Sequence, residues 1–333
     1  MRCLKLLVGD FSPEFCFLWI SQVNKMRSME SLGLLRSIGN TPMVELVNMN
    51  SNPGVSVLAK LEGNNAGGSV KDRPAYYMIK KAEESGQLTR DKTIIEPTSG
   101  NMGIALAMIG AAKGYRVRLC MPECVSVERQ LILQAFGAEV VLTPAREAVD
   151  GAIRKAHQLV KEEPEKYYMP NQFDNENNVL AHYETTGPEI YSQTGGRVDV
   201  FVAGLGTTGT LMGVARYLKE RNKGIKIVGV EPTQGHAIQG LKNMGESIVP
   251  KIYHPEALDE KVTVEDGEAF ETARRLALRE GLFVGMSSGA AVAGALRMAK
   301  NMKRGTIAVI LPDRGDRYLS TTLFRSICAK CPP

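Results

Sequence analysis

An α/β fold of two three-layer domains with mostly parallel sheets is what this sequence predicts, on three observations. Short apolar, β-branched runs alternate with longer helical patterns, as parallel strands with helical crossovers require. The 333 residues exceed one typical domain and suit two, with 44% apolar residues to fill their cores. Two glycine-rich turns each close an apolar run and open a helical pattern, where α/β sheets place ligands.

Taken in order, residues 1–30 stand apart. Met1 to Ser28 is rich in Leu, Phe, Cys and Trp, yet Asp10 and Glu14 interrupt any signal-like apolar core and no small-residue cleavage site follows. We read this stretch as an extension, poorly ordered or a mis-assigned start, rather than as a targeting element. Val55–Leu61 is the first expected strand, and the next helical pattern runs over Arg73–Ser85. Strand Thr93–Glu96 leads to helix Met102–Lys113, and strand Arg116–Met121 to helix Ser126–Phe136. Strand Glu139–Thr143 is followed by helices Arg146–Glu162 and Leu180–Gln193. Strand Val198–Ala203 leads to helix Thr208–Glu220. After strand Lys226–Val230 come helices Asp266–Arg279 and Ser288–Lys300, and Ile307–Leu311 is the last strand. No repeat or low-complexity linker separates these elements, so ordinary crossings must join the two domains.

Composition excludes several classes of function. The net charge of +5 is mild, and basic residues are interspersed with acidic ones, unlike a nucleic-acid stripe or a polybasic membrane segment. No apolar run approaches a membrane span. The six cysteines form no secreted-domain framework, which indicates a reducing, cytoplasmic setting. Cys328-Ala-Lys-Cys331 has zinc or redox spacing, but it is a single pair without a nearby histidine, so no metal is expected.

Chemistry concentrates in four short segments. Lys71 follows Gly67-Gly68-Ser69-Val70, small residues that let a bulky ring approach the backbone. A lysine traps carbonyls only when its ammonium is desolvated enough to yield neutral amine. The plainer alternative is an exposed helix-start lysine beside a salt-bridged Asp72/Arg73. Next, Glu96-Pro97-Thr98-Ser99-Gly100-Asn101 reads as a loop for a small carboxylate. Gly204-Leu205-Gly206-Thr207-Thr208-Gly209-Thr210 lies between an apolar run and a helix, so backbone N–H groups and a helix dipole can face a phosphate. It lacks the lysine of a Walker loop, and Glu231 is the nearest acidic residue that keeps a nucleotide reading open. In Gly285-Met286-Ser287-Ser288-Gly289, a serine at a helix start is either a cap or a hydroxyl for a heterocyclic nitrogen. Together, a lysine for an aldehyde, a monophosphate cup, a hydroxyl for a ring nitrogen and a carboxylate turn describe a pyridoxal-phosphate site.

From Leu34 to Thr322 the chain resembles the fold-type II pyridoxal-phosphate enzymes, and within them the cysteine synthases (O-acetylserine sulfhydrylases), closest to their B type. The resemblance rests on Ile38-Gly39-Asn40-Thr41-Pro42, Lys60-Leu61-Glu62-Gly63-Asn64-Asn65, Gly68 to Arg73 and Pro97 to Asn101. Thr185 to Ile190, Gly206 to Thr210 and Asp313 to Thr321 extend it. It implies a smaller, mobile domain (65–175) set into a larger one (31–64 and 176–325), followed by a tail (326–333). Lys71 is then expected to carry the cofactor covalently and to move the Cα proton. Asn101 would bond the ring oxygen, Gly206, Thr207, Thr208, Gly209 and Thr210 would bind the phosphate, and Ser287 would meet the ring nitrogen. A hydroxyl there, unlike a carboxylate, does not favour a protonated ring. That weaker electron sink suits expulsion of a β-leaving group over transamination.

Thr98, Ser99 and Gln172 are expected to hold the substrate carboxylate. Their alternatives are helix capping for the first two and a surface amide for Gln172. The implied reaction replaces the acetate of O-acetyl-L-serine by sulfide, or by thiosulfate, to give L-cysteine, in a cytoplasmic homodimer. O-phosphoserine-dependent cysteine synthesis and cystathionine β-synthesis are the alternatives. Lys242 would meet an anionic group at the site mouth, or else is a solvated surface lysine. Two departures stand out. Met102 replaces a threonine of the substrate loop, removing a hydroxyl, and Gly67 replaces another small residue, which is expected to add only flexibility.

Overall fold

The computed structural model describes residues 33–98 and 100–324. The chain opens with strand β1 (Met43–Glu45), β2 (Val55–Leu61), helix α1 (Asp72–Glu84), β3 (Thr93–Pro97), α2 (Asn101–Lys113), β4 (Arg116–Pro122) and α3 (Val127–Ala135). Then come β5 (Glu139–Thr143), α4 (Ala148–Glu162), β6 (Tyr167–Tyr168), α5 (Glu176–Ala181) and α6 (Gly187–Gln193). The second half adds β7 (Val200–Gly204), α7 (Gly209–Arg221), β8 (Lys226–Pro232), β9 (Glu260–Val264), α8 (Asp266–Glu280), α9 (Met286–Asn301) and β10 (Gly305–Leu311).

Two sheets result. A six-stranded sheet has the order β1-β2-β10-β7-β8-β9, parallel except for β1, which runs antiparallel to β2. A four-stranded, wholly parallel sheet has the order β5-β4-β3-β6. Strands sandwiched on both faces are buried nearly throughout and mostly apolar: all of β3 is buried, and only the first residues of β8 and β10 are not. Val57, Val202 and Val228 pack on α8 and α9, while Phe201 and Ile227 pack on α7 across the sheet. In the smaller sheet Ile94 and Leu119 meet α1 and α2, and Ile95 and Cys120 meet Ala152 and Ala156 of α4. The fold is therefore α/β with helices on both faces of each sheet.

All seven expected strands form, and β1, β6 and β9 are additional. The chain pairs before β7 through the Asp199 N–H, and its carboxylate caps the Thr306 N–H at 2.7 Å, so β7 begins at Val200. The helix expected over Leu180–Gln193 starts earlier, at Glu176, because the Asn175 side chain caps the Asn177 N–H at 3.0 Å. A π-helical turn, His182–Thr186, interrupts it. Arg73 is not paired with Asp72. Its guanidinium is buried between Glu62 (Nε–Oε2 2.7 Å) and Glu189 (Nη1–Oε1 2.6 Å), and Lys60 reaches Glu189 at 2.7 Å. Residues 1–30, the tail with Cys328 and Cys331, and Ser99 lie outside the described residues.

Candidate active site

A cavity of about 130 Å³ opens at the carboxyl ends of the parallel strands, where chain leaves β3, β7, β8 and β10. Lys71, Thr98, Asn101, Gln172, Gly206, Thr207, Thr208, Thr210, Lys242 and Ser287 all line it. Lys71 is the residue before α1, Asn101 opens α2, Thr208 and Gly209 open α7, and Ser287 sits in the first turn of α9. Several helix N-termini, with their unpaired N–H groups, thus converge on one space. The isolated-lysine alternative falls. Burial pushes the Lys71 ammonium down to about 8, although the Asp313 carboxylate opposes the shift. Among the described residues its Nζ has no hydrogen-bond partner.

The turn after β7 is shaped by its glycines. A Cβ on Gly206 would lie 2.5 Å from the Gly240 carbonyl oxygen, and one on Gly209 would strike Asn178 Oδ1. Thr208 takes a left-handed φ of 69°, which tips the turn, and its buried Oγ1 has no partner among the described residues. Thr207 Oγ1 accepts from Asn178 at 3.2 Å, and Thr210 Oγ1 contacts His182 Nε2 at 3.2 Å. Burial and the nearby Arg73 and Lys71 charges hold His182 well below its ordinary pKa, hence neutral. Ser287 is buried, with no side-chain partner among the described residues, so it is not acting as a cap. Glu231 is occupied by Lys261 (2.7 Å) and the Met244 N–H (2.9 Å), which removes the nucleotide reading built on it.

Asn101 is more engaged than expected. Its Nδ2 donates to Asp313 Oδ2 at 2.6 Å and its Oδ1 accepts from Arg317 at 2.5 Å. Arg317 also donates to the Gly67 carbonyl, and Tyr318 Oη donates to Asp313 at 2.7 Å. Gly67 does more than add flexibility: a Cβ there would lie 2.7 Å from Asp72 Oδ1. Its N–H instead donates to Asp72 Oδ2 at 2.5 Å, and burial pushes that carboxyl up to about 7. Thr98 does cap: its Oγ1 accepts the Gly100 and Gly103 N–H groups at 3.0 and 3.3 Å. Gln172 is buried, not a surface amide, and its Nε2 donates to the Pro97 carbonyl at 3.3 Å. Lys242 is also buried, with Nζ 3.4 Å from the Ile248 carbonyl and 4.9 Å from the Phe173 ring centre. Met102 lines the cavity but packs in the core around α2.

Arg129 went unnoticed in the sequence. It is buried at the cavity wall, donates to Gln239 and stacks 4.9 Å from the Tyr318 ring centre. Its position over Gly100, where a Cβ would touch Nε at 2.6 Å, explains why that turn carries no side chain. Among the described residues no cluster of His, Cys, Asp or Glu could hold a metal, and no helix is long and apolar enough to cross a membrane.

Residues 34–313 match the family model described as pyridoxal-phosphate dependent enzyme. The chain belongs to that family. Cysteine synthase B of Escherichia coli K12 is 47% identical over 291 residues, 87% of this chain and 95% of that protein. Among solved structures, a cysteine synthase from Entamoeba histolytica superposes with a TM-score of 0.83 at 42% identity, covering 89% of this chain and 91% of the other. An O-acetylserine-dependent cystathionine β-synthase from Helicobacter pylori gives 0.83 at 39%, covering 88% and 98%. As in any pyridoxal-phosphate-dependent enzyme, the cofactor needs an amine, a phosphate cup and a partner for its ring nitrogen. The unpartnered Lys71 amine, the buried Thr208 hydroxyl and the side-chain-free positions 206 and 209 fit that group.

Proposed function

We propose that Lys71 carries pyridoxal phosphate in this cavity and that the residues around it perform β-replacement on an activated serine. The chain is a pyridoxal-phosphate-dependent cysteine synthase, making L-cysteine from O-acetyl-L-serine and sulfide. The observation that carries the site assignment is Lys71 itself: an amine stripped of solvent, drawn down to about 8, facing the same cavity as the Gly206–Thr210 turn. When bound, the cofactor draws negative charge away from Cα. The N–H groups at the start of α7 and the Thr207, Thr208 and Thr210 hydroxyls would hold its phosphate, and Ser287 would meet its ring nitrogen. Asn101, fixed by Asp313 and Arg317, would bond the ring oxygen. Thr98, Ser99 and Gln172 hold the substrate carboxylate. Lys71 would take the Cα proton, and acetate would leave from Cβ with the electron pair of its C–O bond.

Lys71→Ala should abolish both the cofactor's visible absorbance band and turnover. Borohydride reduction followed by peptide mapping should label Lys71, and a label on another lysine overturns the assignment.

The unit 65–175 is further proposed to close over the substrate, excluding water, and the protein to act as a cytoplasmic homodimer, which the family resemblance supports. Lys242 favours a second reading, in which thiosulfate serves as donor or O-phosphoserine as acceptor, because a buried cation in the cavity wall suits a dianionic group. Cystathionine synthesis is separated from both by offering homocysteine in place of sulfide.

A further inference from the structure

Glu96 lies in β3 with none of its surface exposed, one residue before Pro97 and two before Thr98. Its Oε2 accepts the Asn171 N–H at 2.8 Å and its Oε1 the Gln172 N–H at 2.9 Å. No cation among the described residues pairs with it. Asn171 holds a left-handed φ of 52°, a conformation that asparagine adopts more readily than most residues with a side chain. On the far side of the segment, Asn178 Nδ2 donates both to the Gln172 carbonyl (2.8 Å) and to Thr207 Oγ1. Gln172 is thus gripped at its N–H by Glu96 and at its C=O by Asn178, which also reaches Thr207 of the turn after β7, and it lines the cavity.

A neutral side chain could link strand to loop without burying an unpaired charge, which is costly. Only a carboxylate offers two strong acceptors to two neighbouring N–H groups. We propose that Glu96 is a positioning residue for substrate binding, holding Gln172 where the amino acid's carboxylate arrives. The inference rests on Gln172 being a carboxylate ligand. Burial pushes the Glu96 carboxyl up to about 7, against the backbone bonds from Gln172 and Asn171 and the Gln172 side chain, which lower it. Of the titratable side chains on the elements packed around it, the Tyr168 phenol on β6 couples to it, and burial keeps that phenol protonated up to about 12. The gripping, ionised form of Glu96 is therefore lost as pH falls through about 7.

Glu96→Gln keeps the shape but turns an NH2 toward one of the two N–H groups. KM for O-acetylserine should rise about tenfold, with kcat changed less than about twofold. Hydrogen exchange at the Asn171 and Gln172 amides should accelerate. Wild-type KM should climb below about pH 7, and the difference from the variant should shrink there, since the substrate's own ammonium titrates alike in both. Unchanged KM with unchanged amide exchange, or a loss confined to kcat, overturns the proposal. Should the variant not fold, the wild-type amides decide: exchange at Asn171 and Gln172, corrected for intrinsic pH dependence, must quicken between pH 8 and 6, and a flat profile overturns it. Gln172→Ala separates the two layers. If it leaves KM unaltered, the carboxylate reading of Gln172 fails, whatever the exchange data say of Glu96.

Discussion

Burial lowers the pKa of both cavity lysines, but their surroundings assign them different work. Lys71 feels the Asp313 carboxylate, which opposes its shift, yet burial takes it down to about 8 and makes neutral amine available at mildly alkaline pH. Lys242 faces no carboxylate at bonding distance: Asp150 acts on it only through space, and the Ile248 carbonyl and Phe173 ring are its neighbours. A bound dianion would raise its pKa again, so anion binding and protonation reinforce each other and both fade as pH rises. Lys242→Ala should cut activity with thiosulfate or O-phosphoserine about tenfold or more, leaving O-acetylserine with sulfide nearly intact. Equal loss with every substrate pair, measured side by side, would reduce Lys242 to a packing role. A lysine gives a point charge without the fork of arginine, so the preference for such anions should be modest.

The turn between β7 and α7 works as a unit with the π-helical segment beside it. Gly209 sits against Asn178, which ties Thr207 to Gln172, and Thr210 sits against His182 within the π turn. Gly209→Ala should push Asn178 away and loosen both ends. We expect pyridoxal phosphate affinity to fall at least about tenfold in a spectroscopic titration, with far-ultraviolet dichroism unchanged. This turn was legible in sequence because strand, glycines, threonines and helix follow one another in a short stretch, and Lys71 and Ser287 were legible for the same reason. β1, β6 and β9 were not: two are only two or three residues long, and β9 sits on a sheet edge with alternate residues in solvent, so it forms no apolar run. Arg129 carried no signal in the sequence, and Arg317 stood out only as part of the Asp313–Thr321 match. What buries them is contact with residues 110 and 250 positions away, Gln239 and Gly67, which no local pattern reports. Glu96 was visible as part of the motif and Gln172 as a candidate ligand, but the pairing of Glu96 with the Asn171 and Gln172 N–H groups was not.

Across the molecule, the four charges Lys60, Glu62, Arg73 and Glu189 join the end of β2, the first turn of α1 and α6. Arg73 stands two residues from Lys71, so ion pairs hold the first turn of the helix that follows the proposed cofactor lysine. Arg73→Met should leave Glu62 buried without its main partner and cost about 3–5 kcal/mol, read from chemical denaturation. The pH response follows from the acids. The nearby cations outweigh burial and hold Glu62 and Glu189 below the usual carboxylate range. Their contribution is complete above the unfolded value near 4.5 and is lost as pH falls below it, so melting temperature should drop on acidification from there. Such a cluster also constrains descent. Any one replacement strands a buried charge, whereas replacing an acid and a base together restores neutrality, so these positions are open to paired change and nearly closed to stepwise drift. Lineages of this fold should therefore keep the quartet whole or exchange its members in concert, and a chimera that draws β2 from one lineage and α6 from another would inherit the mismatch.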